Sequence, residues 1–280
     1  MEVSGVCLRR DRGNDMALVA FGDRTSLAAW VDLPDDDEGA YVWETVDLAD
    51  VKGSFIPRED PQVEAVCADG AGRILILQEW PPRLELLDWE AHKVVTRISL
   101  EIPADHPLYE SWFDSEGSQG EGAAFMQNGH LLIAKEKDPA AFIEFGPAGD
   151  KPSGFDGDSA LKGGARWPVD EGAHVFVPLA VWMPSDELLE GCADFSDLEV
   201  GPDRNLYLLS DKSQSIARVG PLTVGEDSAE AAEVWPLPTL DGKPEGLALT
   251  RSGRAIVALD TKVARENLVL LDPPIAAGAR

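Results

Sequence analysis

Ser4, Glu64, Glu121, Ser196 and Glu245 hold the same position in a repeated pattern, and all five end in oxygen. An acidic residue follows each of the last four by fifteen positions, as Glu79, Glu136, Asp211 and Asp260, and Asp23 follows Ser4 by nineteen. Oxygen donors without nitrogen or sulfur suit a hard divalent cation: Ca²⁺ takes about 6 to 8 oxygens at roughly 2.3–2.6 Å. Zn²⁺ would prefer His or Cys. Three ionised Glu near one point repel one another unless a cation lies between them. The other use of such a set is structural, with each side chain hydrogen-bonding the next repeat to fix its spacing.

The elements that must position these residues are hairpins. "VEAVCADGAGRILILQEW" begins at Val63, "GEGAAFMQNGHLLIAKEK" at Gly120, "FSDLEVGPDRNLYLLSDK" at Phe195 and "PEGLALTRSGRAIVALDT" at Pro244, with a looser copy, "VSGVCLRRDRGNDMALVAFGDR", at Val3. Each is an apolar run, a turn and a second apolar run. Ala71-Gly72, Asn128-Gly129, Asp203-Arg204 and Ser252-Gly253 stand at the turns, and Asn-Gly is the strongest hairpin signal of the four. A turn midway between the marked oxygen and the acid fifteen residues on predicts that the two are cross-strand neighbours, about 4.8 Å apart between strands.

A third strand-like run follows every hairpin ("SLAAWVDL", "RLELLDW", "AAFIEFG", "SIARVG", "NLVLLD"), and a fourth follows in four repeats ("YVWETVDL", "KVVTRISL", "HVFVPLAVW", "AEVWPLP"). Four antiparallel strands per repeat, joined by long polar connections, predict an all-β chain: a five-bladed β-propeller spanning residues 1–280 as one domain, its fifth blade short of an outer strand. Blades start near residues 3, 63, 120, 195 and 244. A six-bladed ring is the alternative, because the Gly-rich segment from Gly146 to Gly172 could hold further strands, although it reads better as a mobile loop. Helix is scarce, with one short turn expected in "PSDELLEGCADFSD". In a propeller the first strand of each blade lines the axis, so the five marked residues converge on one mouth of the channel. Asp23, Glu79, Glu136, Asp211 and Asp260 should form a second acidic ring outside them.

Fifty-one acidic residues against 24 basic ones give a formal charge of −27, which disfavours nucleic acid and anionic membranes. No apolar run approaches the ~18 residues of a membrane span. Three cysteines without metal spacing, Cys7, Cys67 and Cys192, read as buried free thiols of a reducing compartment. The opening residues carry no leader pattern, so a cytoplasmic location is expected. Cys7, Cys67, Ala124 and Ala248 share the repeat position three past the marked residue and read as small packing groups. His92, His106, His130 and His174 are scattered. "FDGDSALKGG" starts like a calcium loop at Asp156 and Asp158 but has Trp167 where the loop needs Glu. "DDDE" at Asp35 to Glu38 reads as a solvated loop.

Taken in order, Ser, Glu, Glu, Ser and Glu at five blade heads resemble the central calcium site of the soluble calcium-activated nucleotidases, the apyrase family with a five-bladed propeller. "GDRTS" around Asp23 and Arg24, "QEW" with Glu79 and Trp80, "FSDLEV" and "PEGLAL" are similar to segments of that family in the same order. "GEGAAFMQNGHLLIAKEK" and "DFSDLEVGPDRNLYLLSDKS" resemble the SdiA-regulated and esterase-like phytase propellers. The nucleotidase resemblance implies that Ca²⁺ on the five marked residues organises the mouth. Asp23, Arg24, Glu79 and Trp80 would then face a substrate, with carboxylates orienting water and Arg24 holding phosphate oxygens. Lys135, Lys137, Lys212, Lys243 and Lys262 fall near the same rim.

Three functions follow. The first is calcium-dependent hydrolysis of phosphate esters or anhydrides, with Asp23, Arg24, Glu79, Glu136, Asp211 and Asp260 as the catalytic set. The second is a non-catalytic propeller that binds a ligand or protein around a structural calcium. The third is a glycosidase working through a carboxylate pair. The expected partner is a small anionic molecule, and the chain is expected to act as a monomer.

Overall fold

A computed structural model describes residues 3–10, 16–22, 24–33, 42–59, 61–78, 82–113, 119–261, 267–272 and 275–276. Its strands fall into five antiparallel meanders. The first holds β1 (Val3–Arg10), β2 (Met16–Gly22), β3 (Leu27–Leu33) and β4 (Glu44–Asp47), and the second β5 (Val63–Ala68), β6 (Arg73–Gln78), β7 (Arg83–Asp88) and β8 (Lys93–Leu100). The third has β9 (Gly122–Phe125), β10 (Leu131–Lys135), β11 (Ala141–Pro147) and β12 (Gly172–Pro184). The fourth has β13 (Asp197–Val200), β14 (Leu206–Ser210) and β15 (Ser215–Val219), then the two-residue β16 (Ser228–Ala229), which pairs with β12, and the outer strand β17 (Ala231–Pro236). The fifth has three described strands, β18 (Lys243–Leu249), β19 (Ala255–Asp260) and β20 (Leu268–Leu270).

The expected turns open each hairpin. In all four tight repeats the second turn residue is left-handed, with Gly129 at φ +89° and the non-glycine Arg204 at +65°. Middle strands are buried on both faces, as in β6 and β10, because each sheet is packed between two others. Apolar clusters fill every interface. Val19 and Phe21 meet Ile74 and Ile76, Leu77 and Leu86 meet Ile133 and Phe145, and Leu132 and Phe142 meet Leu198 and Leu208. Leu209 and Ile216 meet Leu247 and Val257, and Ala248 and Ile256 return to Leu18 and Ala20 of the first sheet. Each such side chain contributes about 1.5–3 kcal/mol on burial, so closure of the ring is driven by its radial interfaces. The first strands touch in sequence, β1 to β5 to β9 to β13 to β18 and back to β1. The chain is therefore an all-β propeller whose inner strands surround an axis.

Where inner strands meet, side chains must be small. A Cβ on Gly122 would lie 2.4 Å from the Leu198 nitrogen, and one on Gly246 would lie 3.0 Å from the Val6 nitrogen. At the rim, β8 runs parallel to the start of β12, from Thr96 opposite Gly172 to Leu100 opposite Phe176. This pairing fuses the second and third meanders into one sheet.

The segment from Gly146 to Gly172 adds no sixth meander and is tied down rather than loose. Trp167 is fully buried and its N–H donates to Asp69, which also holds the Arg73 guanidinium, while Phe155 bridges to Leu222. The expected helical turn lies at Asp186–Gly191, capped by the Ser185 hydroxyl accepting the Leu188 N–H. No helix among the described residues is long and apolar enough to cross a membrane.

Candidate functional site at the channel mouth

Three of the marked residues are β-bulges. Val3 pairs with Gly22 and Gly5 with Phe21, so Ser4 has no partner of its own; Glu64 and Glu245 are skipped in the same way. In the third and fourth meanders the N–H groups of Glu121 and Ser196 donate to Ala134 and Leu209, the residues already opposite Gly122 and Asp197. An extra residue bends the strand and re-aims its side chain. Here Glu64, Glu121, Ser196 and Glu245 all face the mouth.

In the fifth meander the bulge shifts the expected pairing of the marked residue with the acid fifteen positions on. Asp260 lies opposite Lys243, two residues before Glu245. At the fourth meander the link is a hydrogen bond, the Asp211 N–H donating to the Ser196 hydroxyl at 3.0 Å.

One cavity of about 280 Å³ gathers Glu64, Glu121, Ser196 and Glu245 with Glu136, Asp211, Lys212 and Lys243. Ser4 does not line it, but is buried nearby on the first inner strand with its hydroxyl unpartnered. The Oδ1 atom of Asp260 is likewise buried without a hydrogen-bond partner. Lys137 is paired with Glu136, and the buried Lys135 ammonium donates to the Lys137 carbonyl. Arg24 is exposed and is not part of the cavity wall. Asp23, Glu79, Trp80 and Lys262 lie outside the described residues, as does the Asp35 to Glu38 loop.

Electrostatics in the cavity run short of positive charge. Burial pushes the Glu245 carboxyl up to about 7; Asp211, Asp260 and Glu136 add to the rise and Lys243 opposes it. Burial also raises Asp211, helped by Asp194 and countered by Lys243, Gln214 and Lys212. The donor set is all oxygen and includes orphaned buried atoms, which fits a hard cation in kind. Among the described residues, no three His, Cys, Asp or Glu side chains stand close enough to hold a metal as they are.

No family model matches the chain, and no curated protein matches it. Solved structures similar to it include a protein of unknown function from Bacteroides caccae, at 14% identity over 91% of this chain and 71% of that one, with a TM-score of 0.42. Hydrazine synthase from Kuenenia stuttgartiensis is similar at 9% identity over 99% and 97%, with a TM-score of 0.44. Streptogramin B lyase is similar at 12% identity over 98% and 69%, with a TM-score of 0.37. These likenesses add nothing about activity.

Two residues of the channel escape the sequence pattern. Asp194 lines the mouth and accepts from the Ser210 hydroxyl and the Lys212 N–H; its signal was only its place two residues before Ser196. Glu199 occupies the layer of Cys7, Cys67, Ala124 and Ala248, and aligning the repeats marks it as the single charge there. Those four neighbours are buried as expected, and all three cysteines are free.

Proposed function

We propose that the mouth, at one pole of a five-bladed propeller, holds Ca²⁺ on Ser4, Glu64, Glu121, Ser196 and Glu245 and hydrolyses a small phosphate ester or anhydride. The observation that carries this reading is the meeting of Glu64, Glu121, Ser196 and Glu245 in one cavity beside Lys212 and Lys243. When bound, the cation supplies Lewis acidity toward a phosphoryl oxygen and acidifies a water. The chain's own residues supply the rest. Lys212 and Lys243 offset the charge of an incoming phosphate within an acidic wall, and Arg24 and Lys137 add cations on that side. Asp211, raised above the ordinary carboxylate range by burial, takes the proton of the attacking water, and Glu136 and Asp260 orient that water. Asp23, Glu79 and Lys262 are assigned from the repeat, and Trp80 from the nucleotidase resemblance.

The test is calorimetric titration with calcium and magnesium chloride, joined to phosphate release from nucleotides, sugar phosphates and phytate. Saturable calcium binding that is lost in Glu64→Gln, with release stopped by chelator and by Asp211→Asn, supports the proposal. Absence of calcium binding overturns it. Calcium binding without turnover of any substrate selects a non-catalytic, ligand-binding propeller. One observation favours that second reading: Ser196 and Asp194 already use oxygens to accept the N–H groups of Asp211 and Lys212.

A further inference from the structure

The inner strands end in a second cavity, of about 240 Å³, at the mouth opposite the one just described. Its floor is the layer of Cys7, Cys67, Ala124 and Glu199, its wall holds Leu8, Phe125 and Leu249 with Asp69, which is paired with Arg73, and Lys162, Arg204 and Arg251 stand around its opening. We propose that this cavity is a second binding site, independent of the calcium reading, for a small amphipathic anion: a carboxylate with a short apolar body.

Three observations carry the proposal. Three cations around one opening are out of proportion in a chain of net charge −27. The Arg204 Nε is buried without a hydrogen-bond partner while its terminal nitrogens reach the Ala160 carbonyl and Asp158, and Lys162 is exposed with no acidic neighbour in ion-pair range among the described residues. The wall is also built and held. The segment holding Lys162 to Gly164 is stitched to the second meander by the Gly70 N–H donating to Ala165 and the Trp167 N–H donating to Asp69. Gly70 and Gly164 pack so closely that a Cβ on Gly70 would fall 2.1 Å from the Gly164 carbonyl carbon.

Size and depth set the ligand class. At about 30 Å³ for each water, the cavity takes roughly eight non-hydrogen atoms, the size of hexanoate or benzoate. Burial pushes Glu199 up to about 8 and raises both thiols, so the floor is uncharged at neutral pH and tolerates an apolar tail.

Hexanoate, benzoate and the neutral hexanol are titrated calorimetrically into the whole chain. Hexanoate or benzoate should bind saturably with Kd near or below ~1 mM, while hexanol should not. The exposed Arg251→Glu should weaken carboxylate binding at least about 10-fold, the loss of one charged hydrogen bond, with an unchanged melting temperature. Ala124→Leu should block binding by filling the floor, and Glu245→Gln at the other mouth should leave it intact. No saturable binding of either carboxylate, equal binding of hexanol, or undiminished affinity in Arg251→Glu each overturns the proposal.

Discussion

Asp197 of β13 accepts the backbone N–H of Leu247 of β18 at 2.6 Å, so one inner strand is stitched to the next by a side chain. Its other oxygen accepts the N–H of Leu198 at 2.7 Å. The same repeat position is Gly5, Ala65, Gly122 and Gly246 in the other meanders. Gly122 and Gly246 admit a neighbouring backbone at their joints, whereas β13 meets β18 through a carboxyl.

Removing that carboxyl leaves a buried N–H unpaired at a cost of about 1–3 kcal/mol for the group. Asp197→Ala should therefore lower Tm by roughly 3–10 °C for a chain of this size, while Asp197→Asn, which keeps one acceptor, should lose less. Calorimetric melting of both variants measures the difference, and equal melting temperatures would exclude the stitch.

Glu199 should make the stability depend on pH. Burial raises its folded pKa from 4.5 to about 8, so between those values the native state keeps a proton that the unfolded chain has released. Stability is full below the unfolded value and declines as pH rises through the folded one. Melting temperatures taken from about pH 5 to about pH 9 should fall, and Glu199→Gln should flatten the decline. A wild-type curve that rises over this range would contradict the assignment.

Calcium, if bound as proposed, stabilises by linkage: about 2.7 kcal/mol at 100 times Kd. The expected outcome is a rise in Tm with added calcium, reversed by chelator and largely absent in Glu245→Gln. An identical rise in that variant would place the ion elsewhere.

Trp167 anchors the long connection between the third and fourth strands of its meander. Its ring is fully buried against Phe125, and its indole N–H donates to the His130 carbonyl. Trp167→Ala should cost about 3–5 kcal/mol, and limited proteolysis should cut the chain between Gly146 and Gly172 before anywhere else in the described residues. Uncut chain in that region would show the anchor to be dispensable.

Much of this fold could be read before any coordinates. Alternating apolar runs around Asn128-Gly129 and its counterparts locate the hairpins, because a left-handed turn residue and two buried strand faces leave few other choices. The oxygens at the blade heads were legible for the same reason. Their exact pairing was not. A bulge at Glu64 or Glu245 leaves the spacing between repeats unchanged, so one extra residue per ladder is invisible to a count. Asp197 and Glu199 were hidden because each is the exception in a layer of Gly, Ala or Cys, and a pattern is found through its majority. The parallel pairing of β8 with β12 depends on a contact at the rim that neither strand's own sequence encodes.

Val6 and Gly246 lie against each other across the joint where β18 meets β1, which unites segments from far apart in the chain. Closing so long a span costs more chain entropy than any neighbouring joint, and the apolar cluster there joins Val6 and Leu18 to Ala248 and Ile256. The circle closes where its first and last segments touch, and that joint is its latch. Ser4 and Glu245 sit on its two sides, so any ligand gripping both would fasten the circle shut as well as fill its mouth.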